Sequence, residues 1–117
     1  MKATFDLNSK EGKMRLFNAK CGTSSSMKNL ESGTVIEVED VLIYEDTVDS
    51  FGKPQDVEIT VLFATDGTSY ASVSDSVARA SDNLIDLVAD LDLDKYNVRI
   101  IKAKSKGGNE FLNLQLV

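Results

Sequence analysis

The stretch TVIEVEDVLIYEDTV, residues 34–48, constrains the fold of this chain more than any other. It is long, rich in Val and Ile, and opens with strict alternation of apolar and acidic residues, the pattern of a half-buried strand. Ile36, Val38, Leu42 and Tyr44 share one parity, whereas Val41 and Ile43 break it. A strand whose apolar parity changes midway needs an extra residue, so a bulge or strong bend is expected near Glu39–Asp40.

The neighbouring segments also read as strands. MRLFNAKC (14–21) has Met14 and Leu16 on one face with Phe17 and Cys21 on the other. GTSSSMKNLESG then forms a polar connection, and DSFGKPQ forms a loop punctuated by Gly52 and Pro54. DVEITVLFAT (56–65) alternates cleanly, placing Val57, Ile59, Val61 and Phe63 together. Asp66-Gly67 marks a tight turn, after which TSYAS returns as a short strand.

One convincing helix follows, SDSVARASDNLIDLVADL (74–91). Val77, Leu84, Val88 and Leu91 form its apolar stripe, with Ala80 and Ile85 beside it. Ser72 or Ser74 is placed to cap the first turn. YNVRIIKAK (96–104) and EFLNLQLV (110–117) then read as a hairpin, with Leu112, Leu114 and Leu116 as its buried row. The order predicts a single mainly-β domain over residues 1–117: a five-stranded OB-type barrel with one α-helix between strands 3 and 4. A split α+β sandwich is the alternative. In an OB barrel the first and fourth strands are neighbours, which would set Arg15 and Lys20 alongside Arg99, Lys102 and Lys104 as one basic wall.

Composition narrows the chemistry. The 117 residues contain no histidine, which removes the usual general base and the commonest metal ligand. Cys21 stands alone, so no internal disulfide forms, and it reads as a small buried hydrophobe suited to a reducing cytoplasm. No apolar run approaches the ~20 residues of a membrane span, and the polar start MKATFDLNSKEGK is no signal peptide. DLDLD (90–94) resembles a calcium loop only superficially: the sixth position lacks glycine and the twelfth is Ile101. GTSSS and KGG lack a Walker spacing. A carboxylate-only hydrolase would need a paired acid and base, and no such pair is evident. No enzyme, metal or cofactor is expected.

The net charge of −6 is unevenly spread. Residues 1–30 carry a surplus of four cations, residues 31–94 a deficit of fourteen, and residues 95–117 again a surplus of four. Two basic ends thus flank an acidic middle, and that middle supports an alternative reading as a protein-interaction module. Phe51 is the other anomaly, since Asp49, Ser50, Gly52 and Lys53 surround it and no core pattern can hold it. A solvent-facing ring on a hairpin, near a basic groove, fits the needs of single-stranded nucleic-acid binding. Every base has a π face, and stacking contributes ~1–3 kcal/mol per base. Phe17 and Phe111 read equally as core or as exposed rings.

KATFD (2–6), LFNA (16–19), KNL (28–30) with GT (33–34), FATDGTSY (63–70), LIDLV (84–88) and LNLQL (112–116) occur in an order that resembles a known family. It is that of the single-stranded DNA-binding proteins of small tailed phages that replicate linear genomes by protein priming, such as those infecting Bacillus. The resemblance spans nearly the whole chain. It implies a non-enzymatic protein that coats displaced strands, protects them from nucleases, opens hairpins and keeps the phage polymerase from unproductive trapping. It also implies cooperative binding with little sequence preference, in the host bacterial cytoplasm. Family binding is attributed partly to tyrosines. Tyr44 and Tyr70 match two of these, and Phe51 stands where the third would be, keeping the ring without the hydroxyl. The N-terminal extension of some relatives is shorter here, which favours a monomer in solution. The expected site is therefore Tyr44, Phe51 and Tyr70 for stacking, with Arg15, Lys20, Lys28, Lys102, Lys104 and Lys106 for phosphate.

Overall fold

The computed structural model describes residues 1–104, 106–108 and 110–117. In chain order the elements are β1 (Lys2–Ala3), α1 (Lys10–Lys20), β2 (Ser25–Ser26), a 3-10 turn (Met27–Asn29), β3 (Val35–Ser50), β4 (Lys53–Ala64), β5 (Ser69–Ser72), α2 (Asp75–Leu91), β6 (Tyr96–Lys104) and β7 (Glu110–Leu116). The sheet order is β2-β5-β4-β3-β6-β7, with β1 paired to β3.

β3 is the spine of this arrangement. Its first half pairs antiparallel with β6, from Val35↔Arg99 to Val38↔Tyr96. Its second half carries β1 on the side that β6 leaves, through Lys2↔Ile43 and Ala3↔Leu42. On the other side β4 pairs all the way to Ser50↔Lys53, with a register shift between Val38 and Asp40. That shift is the expected bulge, and it explains the broken parity. Ile36 and Val38 before it, and Val41 and Ile43 after it, all join the core under α2. Leu42 and Tyr44 turn to the opposite face with Ala19 and Val61. Each fully buried Val or Leu here contributes ~1.5–3 kcal/mol.

The α2 face is the larger core. Val77, Leu84, Ile85 and Val88 are buried as the stripe predicts, joined by Ala78 and Ser81, while Leu91 is exposed. Ser74 begins the helix, and the Ser72 hydroxyl accepts from its N–H at 3.0 Å. In β7 Leu112 is buried, Leu114 half-buried and Leu116 exposed, so the expected row fades toward the chain end. Tyr96 is buried at the β3–β6 pairing, and its phenol is pushed up to about 12, by burial first and the Asp40 charge second. The folded state therefore favours the neutral phenol. Its contribution to stability is intact below the free-tyrosine value of about 10, and is lost as pH rises through about 12. An absorbance titration of phenolate should show Tyr96 ionising only at or after alkaline unfolding. Tyr96 phenolate formed near pH 10, in folded protein, would contradict this placement.

Several expectations are corrected. The predicted strand over 14–21 is instead α1, whose N-cap Ser9 accepts from the Gly12 N–H at 3.0 Å. Glu11 lies in its first turn and Lys20 in its last, each on the side that suits the helix dipole. Cys21 caps this helix and is exposed rather than buried. The DSFGKPQ loop is for the most part ladder, because β3 and β4 continue to a two-residue turn at Phe51-Gly52. The OB-type barrel is not found either. Seven strands and two helices form a curled half-barrel, and among the described residues its end strands β2 and β7 do not pair. The basic wall falls with it, since Arg15 and Lys20 stand on α1 and not on a strand beside β6. The single helix expected between strands 3 and 4 corresponds to α2, which instead lies between β5 and β6 and is one of two α-helices among the described residues.

Candidate nucleic-acid interface

Two hollows adjoin where β5 meets the start of α2, sharing Lys28, Ser72 and Val73 as a common wall. One, of about 280 Å³, is closed by Ser74, Lys102, Glu110, Phe111 and Leu112. The other, of about 380 Å³, runs toward Lys20, Tyr44, Asp46 and Ile59. Together they form a trough with Lys20 near one end, Lys28 in the middle and Lys102 near the other. The fold builds this alignment from three separate segments. Lys20 stands in the last turn of α1 and Lys28 in the 3-10 turn that follows β2. The Lys102 ammonium donates to the Lys28 backbone carbonyl at 2.8 Å, which holds the Lys102 side chain against the 3-10 turn that carries Lys28. Two acids, Asp46 and Glu110, border the trough against these three cations.

The remaining expected residues are scattered. Arg15 is withdrawn from solvent anions: it pairs with Asp40 and, at 2.9 Å, with Glu39. Its guanidinium also lies over the rings of Phe5 and Phe63, 5.2 and 5.0 Å from their centroids. The bulge presents both carboxylates, so Arg15 fastens α1 to β3. Lys104 and Lys106 are exposed at the β6–β7 turn and line neither hollow.

The aromatic residues divide in the same way. Tyr44 reaches the trough wall but is only 3% exposed, lying under α1 with its hydroxyl directed at the Ala19 carbonyl 3.4 Å away. Burial first, and the charge of Asp46 second, raise its pKa. Tyr70 is half-buried against the α2 core, on the opposite face of the sheet from Tyr44. Phe51 is fully exposed at the tip of the β3–β4 hairpin. Its φ of 52° and that of Gly52, 78°, are the two positive values that a type I′ turn requires. For a phenylalanine this left-handed conformation costs about 1–2 kcal/mol.

Sequence reasoning did not assign Phe111 to the site. It lines the trough beside Lys102 and is 37% exposed. Its position opposite the Leu112 row in β7 was the available signal.

The whole chain, residues 1–117, matches the model of the family described as phage single-stranded DNA-binding protein. The chain belongs to that family. It is 40% identical over 116 residues to the single-stranded DNA-binding protein of Bacillus phage phi29, covering 99% of this chain and 94% of that protein. The corresponding protein of Bacillus phage PZA gives the same identity and coverage. That of Bacillus phage B103 is 38% identical over 117 residues, covering 100% of this chain and 96% of its own. No solved structure matches the chain. Phage single-stranded DNA-binding proteins are binding proteins and not enzymes. Among the described residues no helix is long and apolar enough to cross a membrane.

Proposed function

We propose that this chain binds and coats single-stranded DNA, without sequence preference, during protein-primed strand-displacement replication of a phage genome. On this reading it protects displaced strands and removes their secondary structure in the host cytoplasm, as a monomer in solution, with the phage polymerase as functional partner. The names of its relatives support the DNA-binding reading. The observation that carries the site is the trough. Lys20, Lys28 and Lys102 border its two adjoining hollows, and the Phe111 ring lines the one that holds Lys28 and Lys102. Phosphates would follow the cations while bases meet Phe111 and the apolar wall of Val73.

The β3–β4 hairpin rises from the Tyr44 and Asp46 end of this trough, and its near face continues through Val57 and Val48 to the tip. A strand leaving the trough there would meet the Phe51 ring. A bulky, solvated side chain held in a strained conformation is better explained by a contact than by packing. Tyr70 and Tyr44 then sense binding through their surroundings, with Tyr44 free to stack only if α1 lifts. Arg15 is a positioning residue for α1.

A tyrosine-fluorescence titration with oligo(dT) tests the reading, because the chain has no tryptophan to mask Tyr44, Tyr70 and Tyr96. Salt-sensitive quenching with single strands, and weaker binding to duplex, is expected. Inert single strands at low salt would remove the DNA reading and favour the protein-interaction alternative. Phe51→Asn isolates the ring. Asn-Gly is the favoured type I′ pair, so thermal stability should hold or rise. Affinity for oligo(dT) should fall about tenfold, in the range of one lost stacking contact. A lowered Tm with unchanged affinity would make Phe51 a packing residue.

A further inference from the structure

Beyond Tyr44 the β3–β4 ladder loses both covering layers. Every residue from Glu45 to Asp49 and from Phe51 to Asp56 is exposed, so the hairpin stands out as a two-stranded arm. An unsupported hairpin is marginal in water, and this one has two unlike faces. Register partners share a face, so Asp46, Val57, Val48 and Gln55 continue the trough side. Glu45, Glu58, Thr47, Asp56, Asp49 and Pro54 point the other way. On that far face Glu45 and Glu58 are direct cross-strand partners, an arrangement of like charges that weakens a ladder. Among the described residues no salt bridge reaches Glu45, Asp49, Asp56 or Glu58. Asp56 accepts from the Thr47 hydroxyl at 2.9 Å, and Glu58 lines a hollow with Lys2 and Arg79, but the far face keeps an excess of carboxylates without salt bridges, whose repulsion a cationic surface would relieve.

The same chain carries such a surface. β6 runs antiparallel to β3 from the Val38↔Tyr96 pair, away from the arm, and ends at Lys104. Lys104 and Lys106 stand exposed at this end, outside the trough. The arm and the β6–β7 turn therefore extend in opposite directions from the β3–β6 pairing. One molecule cannot bring them together, but two in line can.

We propose that the acidic far face of the arm docks on Lys104 and Lys106 of a second copy of this chain, bound next along the same DNA strand. The proposal rests on the DNA-binding reading above. The contact is heterologous and does not close on itself, so it propagates as an open row. Exposed ion pairs are individually weak. The contact accordingly forms where the strand holds two copies at high effective concentration, and not in free solution.

The test compares an oligo(dT) that accommodates one molecule with long poly(dT), at low salt. Asp49→Lys with Glu58→Lys removes the Glu45–Glu58 repulsion, so the arm should fold at least as well. Affinity for the short oligonucleotide should stay within about twofold, or rise slightly, while apparent affinity for poly(dT) drops about tenfold. Lys104→Glu with Lys106→Glu should lower apparent affinity for poly(dT) about tenfold more than it lowers affinity for the short oligonucleotide. A chain carrying all four substitutions should regain the poly(dT) affinity that each pair loses, since opposite charges again face each other. Unchanged poly(dT) binding in either pair would overturn the proposal. So would loss without recovery in the fourfold variant, which would send the arm to a different basic protein. Failure of the unaltered protein to bind the short oligonucleotide would instead remove the DNA-binding reading, and the docking proposal with it.

Discussion

Replacing Lys28 and Lys102 together by glutamine should lower affinity for oligo(dT) about fiftyfold in ~50 mM salt, and hardly at all near molar salt. The magnitude follows from counterion release. Each phosphate contact on a single strand contributes about 0.7 to the slope of log affinity against log salt. Two lost contacts should flatten that slope by about 1.4. Glutamine keeps most of the side-chain length and a donor for the Lys28 carbonyl, so the trough should keep its shape. Lys28 is exposed and Lys102 half-exposed, and neither belongs to the apolar core, so thermal unfolding should be little changed. Glutamine at Arg15 provides the contrast. That change breaks the pairs with Glu39 and Asp40, and should cost stability more than it costs the salt slope. An unaltered slope in the Lys28/Lys102 variant would place the phosphate path elsewhere.

The contrast between those lysines and Arg15 shows how much of the site was legible. Local pattern identified the elements whose signal is strong and short in range. The parity break in residues 34–48 marked the bulge between Val38 and Asp40. The Val77, Leu84, Val88 and Leu91 stripe marked α2, although Leu91 itself is exposed, and Asp66-Gly67 marked the β4–β5 turn. α1 was misread because only Gly12 and Ala19 of its residues are buried, leaving almost no apolar periodicity to detect. Its capping signals, Ser9 before and Gly22 after, were present but weaker than the two-faced reading of Met14 and Leu16 against Phe17 and Cys21. The arm was misread because Gly52 and Pro54 ordinarily interrupt a strand. Here they sit in a tight turn and beside it, on an outlying ladder, where a missing N–H is tolerated.

Exposure was harder to read than chain order. Tyr44 and Phe51 look alike in sequence, each an aromatic followed by polar or turn-forming residues. One is buried and the other wholly exposed, because α1 covers the first and nothing covers the arm. Which lysines converge was likewise a long-range matter. Lys28 and Lys102 meet through a backbone carbonyl that no motif encodes. Charge segregation is reflected in the candidate trough only in that Lys20 and Lys28 come from one basic end of the chain and Lys102 from the other.

Gly12→Ala should destabilise the protein, reversing the usual effect of that change in a helix. Alanine is ordinarily favoured over glycine there by ~1 kcal/mol. At Gly12, however, an added Cβ would lie 2.0 Å from the Asp6 carbonyl oxygen and 3.1 Å from the Ser9 hydroxyl. The nearest obstacle is backbone, and Ser9 is the residue that caps the helix through the Gly12 N–H. Either the Asp6–Ser9 turn or α1 must move. Overpacking of this kind costs about 1–3 kcal/mol, enough to lower Tm by about 10 °C in a domain of this size. The damage should be local first. α1 covers Leu42, Tyr44 and Val61, whereas the α2 core on the other side of the sheet does not depend on it. Amide exchange should therefore quicken in residues 1–20 and around Tyr44 before it quickens in α2. A collisional quencher should reach the Tyr44 ring, and its phenol should ionise nearer to the value of free tyrosine. If displaced α1 also frees Tyr44 to stack, quenching by oligo(dT) should deepen despite the lower Tm. A Tm at or above that of the unaltered protein would mean that the Asp6 carbonyl moves aside without strain, and that α1 does not depend on glycine at this position.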